Sequence, residues 1–201
     1  MTGKFIVFEG IDGAGTETQS NKLLQYLNAN GKPAERIEYP DYEGPIGNMI
    51  HEFLHKKFEL SPLVQMSLYG TDMAKDSDKI NAWKDQGKVV IADRYFTSTL
   101  AYQTMFGVPR EKCLKFAEIM GLVKPDAIIF LKIESETSLV RKRGEKQGNV
   151  DRFEENTEIH QKTLESYDSL IRDSVFGPWY VLDGERSKDG VFELVKKVLQ
   201  L

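Results

Sequence analysis

Short apolar runs, separated by longer stretches of helical period, set the plan of this chain. Phe5–Phe8, Val89–Ala92, Ala127–Leu131 and Trp179–Leu182 each read as a buried strand, and Ala34–Tyr39 as a weaker fifth. Between them apolar positions recur at three and four. Leu23, Leu24 and Leu27 suit a helix that ends near Asn30-Gly31. Met66, Leu68, Tyr69, Met73 and Ile80 suit another, closed by Gln86-Gly87. Phe153, Thr157, His160, Leu164, Tyr167 and Ile171 make one face of a long helix, and Phe192, Val195 and Leu199 that of a last one. Strands alternating with helices predict an α/β fold, a five-stranded parallel sheet flanked by helices, with ligands beyond the strands' C-terminal ends.

The first strand runs straight into a glycine loop. In Phe5–Gln19, FIVFEGIDGAGTETQ, the strand gives way at Glu9 to Gly10, Gly13 and Gly15, and Thr16 onward is helical. Strand, glycine loop and helix are the context of a phosphate-binding P-loop, whose backbone N–H groups and helix N-terminus face phosphate oxygens. Gly10 and Gly15 keep the spacing of G-x-x-x-x-G-K-[ST], but Thr16 and Glu17 stand where Lys and Ser/Thr are expected. On this stretch alone an ordinary glycine-rich turn stays open.

Composition narrows the class. The 201 residues fit one domain, residues 1–201, and a net charge of −4 argues against broad nucleic-acid binding, so an anionic substrate must meet a local basic cluster. A single cysteine, Cys113, excludes an intramolecular disulfide, fits a reducing compartment and reads as helix packing. With no apolar run near membrane length and no signal pattern, a cytoplasmic protein without membrane contact is expected.

Two further stretches carry chemistry. Val89–Ala92 leads directly into Asp93-Arg94-Tyr95, an acid and a base at a strand's C-terminal end. The acid could hold Mg²⁺ and the base a phosphate, or the two could form a structural ion pair at a helix start. Arg141–Asn149, RKRGEKQGN, breaks the helical pattern with four cations in six residues. It is either a solvated face or a mobile loop that closes over a phosphate site.

Taken in order, these stretches resemble the thymidylate kinase (dTMP kinase) family of P-loop nucleoside monophosphate kinases. FEGIDGAG…TQ is similar to the family's FEGIDG-[SA]-GKTTQ apart from two positions, and Tyr39-Pro40 with Gly47 and Ile50 to its F-P-x(6)-G-x-x-I segment. DRYFTSTLAYQ, Asp93–Gln103, resembles DRY-x-x-S-x-x-A-Y-Q; Pro125-Asp126…Leu131 the strand before the lid; and Arg143-Gly144…Asp151-Arg152-Phe153-Glu154 the lid's RG…DRFE.

The resemblance implies a three-layer P-loop fold with a short arginine-rich lid, about 141–152, that phosphorylates dTMP from ATP with Mg²⁺ as a homodimer. It implies that Gly10, Ile11, Asp12, Gly13, Ala14, Gly15, Thr16, Glu17 and Thr18 cradle the ATP phosphates. Asp93 would organise Mg²⁺, Glu17 could join it, and Arg94 would hold the dTMP phosphate beside the transferring group. Asp12 would approach the 3′-hydroxyl, Tyr69 stack on thymine, and Ser98, Thr99 and Gln103 line the base pocket. Tyr102 would back the sugar and Tyr42 lie near the acceptor phosphate. Arg143 and Arg152 would act from the lid with Arg141 in support. No arginine stands beside Asp12, so catalytic positive charge should come mainly from the lid.

Three departures bear on activity rather than fold: Thr16 for the P-loop lysine, Glu17 for its hydroxyl neighbour, and Met73 where the family has a nucleotide-contacting arginine, with Lys75 two residues on. They leave open a kinase for another nucleoside monophosphate, or a nucleotide-binding protein that has lost catalysis. His51-Glu52-Phe53-Leu54-His55 also spells the zinc-protease pattern H-E-x-x-H, but Ile50, Phe53, Leu54 and Phe58 favour a plain amphipathic helix there.

Overall fold

The computed structural model describes residues 3–145, 152 and 157–201, with the side chains of 142–145, 157 and 158 left out. Its five strands are β1 (Phe5–Glu9), β2 (Ala34–Glu38), β3 (Val89–Asp93), β4 (Ala127–Lys132) and β5 (Trp179–Asp183). They form one parallel sheet in the order β2-β3-β1-β4-β5. The three inner strands are the most apolar, as strands covered on both faces must be. β2 and β5 are the edges, and Ala34–Tyr39 carries the weakest signal because Glu35, Arg36 and Glu38 interrupt it.

Helices α1 (Thr16–Ala29) and α9 (Lys188–Leu199) cover one face, where Leu23, Leu27, Val191 and Val195 meet Ile6, Phe8, Ile91 and Ile129. The other face meets α5 (Phe96–Met105), α6 (Arg110–Ile119), which buries Cys113, and α8 (Thr157–Arg172). The buried line of α8 is His160, Thr163, Tyr167 and Leu170, close to the predicted stripe, whose Phe153 lies outside the described residues. No helix among the described residues is long and apolar enough to cross a membrane.

Two expectations about helices change. The stretch closed by Gln86-Gly87 is two helices, α3 (Pro62–Ala74) and α4 (Ser77–Asp85). They part where the Lys75 ammonium is drawn onto Asp41, Asp72 and Asp76, while Tyr39 donates to Asp76 and the Asp41 N–H to Asp72. Side-chain demands override a period that runs on through the break. Second, Arg141–Asn149 does not break the helix at its start: α7 (Ser135–Glu145) runs through Gly144.

The last helix, α2 (Pro45–Leu54), buries Ile50, Phe53 and Leu54 in a small cluster of their own, joined by Leu68 and Tyr69 of α3. Gly47 lets α2 approach the turn after β2: a Cβ there would stand 1.9 Å from the Asp41 carbonyl oxygen. Gly47→Ala should therefore lower stability by about 2 kcal/mol or more, since the clash is with backbone that cannot rotate away. Urea unfolding reads this directly, and an unchanged midpoint would mean that α2 shifts freely.

Candidate active site

At the C-terminal edge of the sheet β1 ends and the chain winds through Gly10–Gly15. Gly13 and Gly15 take positive φ (76° and 91°), and a Cβ on Gly10 would stand 2.6 Å from the Ala14 Cβ. Ile11 and Ala14 pin the loop by packing into the core below it, so they can offer a ligand only backbone. No side chain caps the first turn of α1, and its N–H groups are those an anion binds. Thr16 is buried; Glu17 is exposed.

Behind the loop stands a carboxylate that the sequence reading passed over. Glu9 is fully buried and accepts from the Tyr95 N–H (3.0 Å), the Ser98 N–H (3.1 Å) and the hydroxyls of Thr97 (2.5 Å), Ser98 (2.5 Å) and Tyr167 (2.9 Å). It thus satisfies the N-terminus of α5. Burial pushes its carboxyl above the usual range, tempered by the Arg94 charge and the hydroxyls. A charged residue closing an apolar run was the available signal.

Arg94 follows β3 with φ 63°, a left-handed conformation that costs about 1–2 kcal/mol outside glycine. That kink turns the guanidinium back across β1, where it donates to the Gly10 carbonyl (2.8 Å) and the Asp12 carboxylate (2.5 Å). Burial works against its charge, but Asp12, then Tyr102, Tyr167 and Glu9, outweigh it and hold the pKa well above the ordinary value. Asp93 and Arg94 do not pair with each other. Asp93 instead accepts from Arg36 of β2 at 2.8 Å.

The other expected arginines are dispersed. Arg141 donates to the carbonyls of Gly13 (3.1 Å) and Gly184 (3.0 Å), bracing the loop from α7. Arg143 lies in α7 with its side chain outside the described residues. Arg152 is not brought to the P-loop. It caps the C-terminal end of α2, donating to the Phe53 and Phe58 carbonyls and to Glu59, with its guanidinium 4.3 Å from the centre of the Phe53 ring. A helix C-terminus and a carboxylate favour a cation there. The two carboxylates expected at a metal differ as well: Glu17 is exposed, Asp93 buried beside Arg36.

Next to the loop opens a cleft of about 670 Å³. Asp12, Tyr42, Tyr69, Met73 and Arg94 line it, with Ser98, Thr99, Tyr102 and Gln103 of α5. All nine residues expected around the acceptor nucleotide are there. Tyr39, Pro40 and Leu54 complete the wall, missed because a segment match names no side-chain direction. Gln103 donates to Gln65 (3.4 Å), and its Oε1 is buried with no hydrogen-bond partner among the described residues.

The H-E-x-x-H histidines sit on the exposed side of α2 with ring centroids 4.1 Å apart, and His55 Nδ1 meets the His51 carbonyl at 2.8 Å. His160 is buried in α8 near Ser138. Among the described residues no three His, Cys, Asp or Glu side chains gather to hold a metal.

The thymidylate kinase family model matches residues 8–195. A thymidylate kinase of Carboxydothermus hydrogenoformans is 34% identical over 100% of this chain and 98% of its own length. One of Arabidopsis thaliana is 31% identical over 99% of this chain and 70% of its own. The chain belongs to the thymidylate kinase family. A solved thymidylate kinase structure from Candida albicans superposes with a TM-score of 0.78 at 23% identity, covering 99% of this chain and 92% of that one, so the fold is shared.

Against that family, the chain's own departures acquire surroundings. Met73 is buried, part of the core cluster and of the cleft wall at once. Lys75 is no substitute for the absent arginine, because three aspartates within 3.2 Å hold its ammonium. Burial alone would lower its pKa; those partners keep it above the ordinary value.

The Glu9 environment predicts a pH dependence. A carboxyl whose pKa is raised by folding adds stability below its unfolded value of about 4.3 and loses it as pH rises through the folded one. Glu9→Gln has no such titration. Urea unfolding should show the gap between the natural protein and Glu9→Gln narrowing from about pH 4 upward; a gap that widens would contradict the direction.

Proposed function

We propose that residues 1–201 act as one kinase domain that transfers the γ-phosphoryl group of ATP to dTMP, giving ADP and dTDP. The observation that carries this reading is the double engagement of Arg94. Its side chain lines the acceptor cleft and also bonds Gly10 and Asp12 of the P-loop. A guanidinium so held is suited to an acceptor phosphate beside the transferring group.

The cleft supports a thymine nucleotide. The unpartnered Gln103 Oε1 is an acceptor that the ring N–H of thymine would satisfy. Tyr69 offers a face for stacking, and Tyr102 would crowd a 2′-hydroxyl. The attacking phosphate oxygen is already ionised, so no strong general base is required. The chain's own contribution is alignment and a preorganised field from the loop N–H groups, Arg94 and Arg141. For Arg152 to join them, it must leave Glu59 and the α2 carbonyls.

The donors fit Mg²⁺, a hard cation commonly bound through one or two carboxylates together with substrate phosphates. Asp93 would hold it, since the Arg36 pair engages only Oδ2, and exposed Glu17 could reach it from α1. When bound, the ion neutralises charge on the β- and γ-phosphates.

Thr16 favours one second reading, a nucleotide-binding protein without turnover. Both are tested by offering ATP, Mg²⁺ and in turn dTMP, dUMP, UMP, CMP, dCMP, AMP and GMP to the purified chain. dTDP should form fastest, and Asp93→Asn should lower kcat by about 100-fold with the fold intact. Nucleotide binding without product from any acceptor would establish the second reading; a preference for another monophosphate would assign the change to Met73.

A homodimer, as the family resemblance implies, gains support from Met49 of α2 with Leu63 and Val64 of α3, each about half exposed. Sedimentation should give twice the chain mass, and Leu63→Glu should halve it; a natural protein that sediments as a monomer refutes this.

A further inference from the structure

Arg36 was given no role by its sequence context, yet it joins Asp93 to the helix that follows the P-loop. On β2, Ala34, Arg36 and Glu38 alternate onto the face that α1 covers. The Arg36 side chain is 13% exposed and is held at three points. Its Nε donates to Ser20 Oγ of α1 (2.9 Å), one Nη to Glu38 (2.7 Å) and the other to Asp93 Oδ2 (2.8 Å). Ser20 in turn donates to the Glu17 carbonyl at 3.0 Å. Ser20 lies about one helical turn beyond Thr16, so the guanidinium sits between the expected metal carboxylate and the second turn of α1.

The other cations around the loop each have partners of their own, none of them Asp93. Lys22 pairs with Asp189 of α9. Arg94 is held by Asp12 and Gly10, and Arg141 by the carbonyls of Gly13 and Gly184. Only Arg36 among these touches Asp93.

We propose that Arg36 is a positioning residue that supplies, from β2, the positive charge that Thr16 does not supply from the loop. It fixes the Asp93 carboxylate and makes the field of the phosphate cradle favourable from the β3 side. The guanidinium grips Asp93, Glu38 and Ser20 together from a neighbouring strand, and it is the charge so placed rather than the planar shape that the cradle uses. The inference rests on the ATP-binding reading of the P-loop.

The test compares the natural protein with Arg36→Gln, Arg36→Lys, Thr16→Lys and the double variant Thr16→Lys/Arg36→Gln. ADP affinity is measured by calorimetry in EDTA, where no metal ion screens the phosphates, and turnover with ATP, Mg²⁺ and dTMP. Arg36→Gln should lose about ten-fold in metal-free ADP affinity and at least as much in kcat. Thr16→Lys should restore most of both losses in the Arg36→Gln background and give a several-fold smaller gain in the natural protein, because two substitutions that serve one charge are not additive. Equal gains from Thr16→Lys in both backgrounds would make the residues independent and overturn the proposal. If Arg36→Gln does not fold, Arg36→Lys decides. Metal-free ADP affinity within about three-fold of natural supports the charge role, and a loss of about ten-fold overturns it. A natural protein that binds no ADP would overturn the ATP reading along with this one. A natural protein that binds ADP, with Arg36→Gln equal to it, overturns the role of Arg36 alone.

Discussion

The carboxylate of Glu9 ends β1 with no solvent around it, and five donors from α5 and α8 converge on its two oxygens. A charge in such a place costs several kcal/mol unless it is matched. Here the match comes from the N-terminus of α5, three hydroxyls and the nearby Arg94 guanidinium. The strand that delivers the P-loop, the helix that lines the acceptor cleft and the helix behind them are therefore locked to one point. Arg94, forced into a left-handed backbone conformation one residue beyond β3, then ties that point to Gly10 and Asp12. The glycine loop and the neighbouring cleft inherit their mutual geometry from this knot rather than from the loops alone.

Charge around the phosphate cradle is distributed unusually. The loop itself carries a buried hydroxyl and an exposed carboxylate where a cation and a hydroxyl are the family pattern. Positive charge enters instead from three neighbouring elements: Arg36 on β2, Arg94 after β3 and Arg141 on α7. Each is anchored by several hydrogen bonds, so little side-chain entropy is left to lose when an anion arrives.

Much of this was legible before any coordinates. Three apolar runs became the inner strands because buried parallel strands must be apolar on both faces; Trp179–Leu182 is apolar although β5 is an edge, and Ala34–Tyr39 was faint because the edge β2 carries Arg36 and Glu38. The cleft residues were legible only through the family resemblance, since helical spacing cannot distinguish a Tyr69 that lines a cleft from one that packs in a core, and this one does both. Arg36 was passed over because one arginine in a weak strand looks like a solvated face. Its signal was the period of two, which sets Arg36 and Glu38 on the same side as buried Ala34. The break at Lys75 was invisible because a cluster of three aspartates on one ammonium is a tertiary fact. The resting place of Arg152 on α2 was not legible because a motif gives the identity of a lid residue and not the surface it rests on.

The absence of an amine at position 16 reaches beyond catalysis. Acylating probes that report occupied nucleotide sites act by transferring their acyl group to a lysine amine beside the phosphates. A buried threonine hydroxyl offers no such nucleophile, and guanidinium groups, protonated throughout the physiological range, do not replace it. Proteome surveys that depend on P-loop lysine labelling would pass this kinase by. Inhibitors that anchor covalently on that lysine would likewise spare it while engaging relatives that keep the amine.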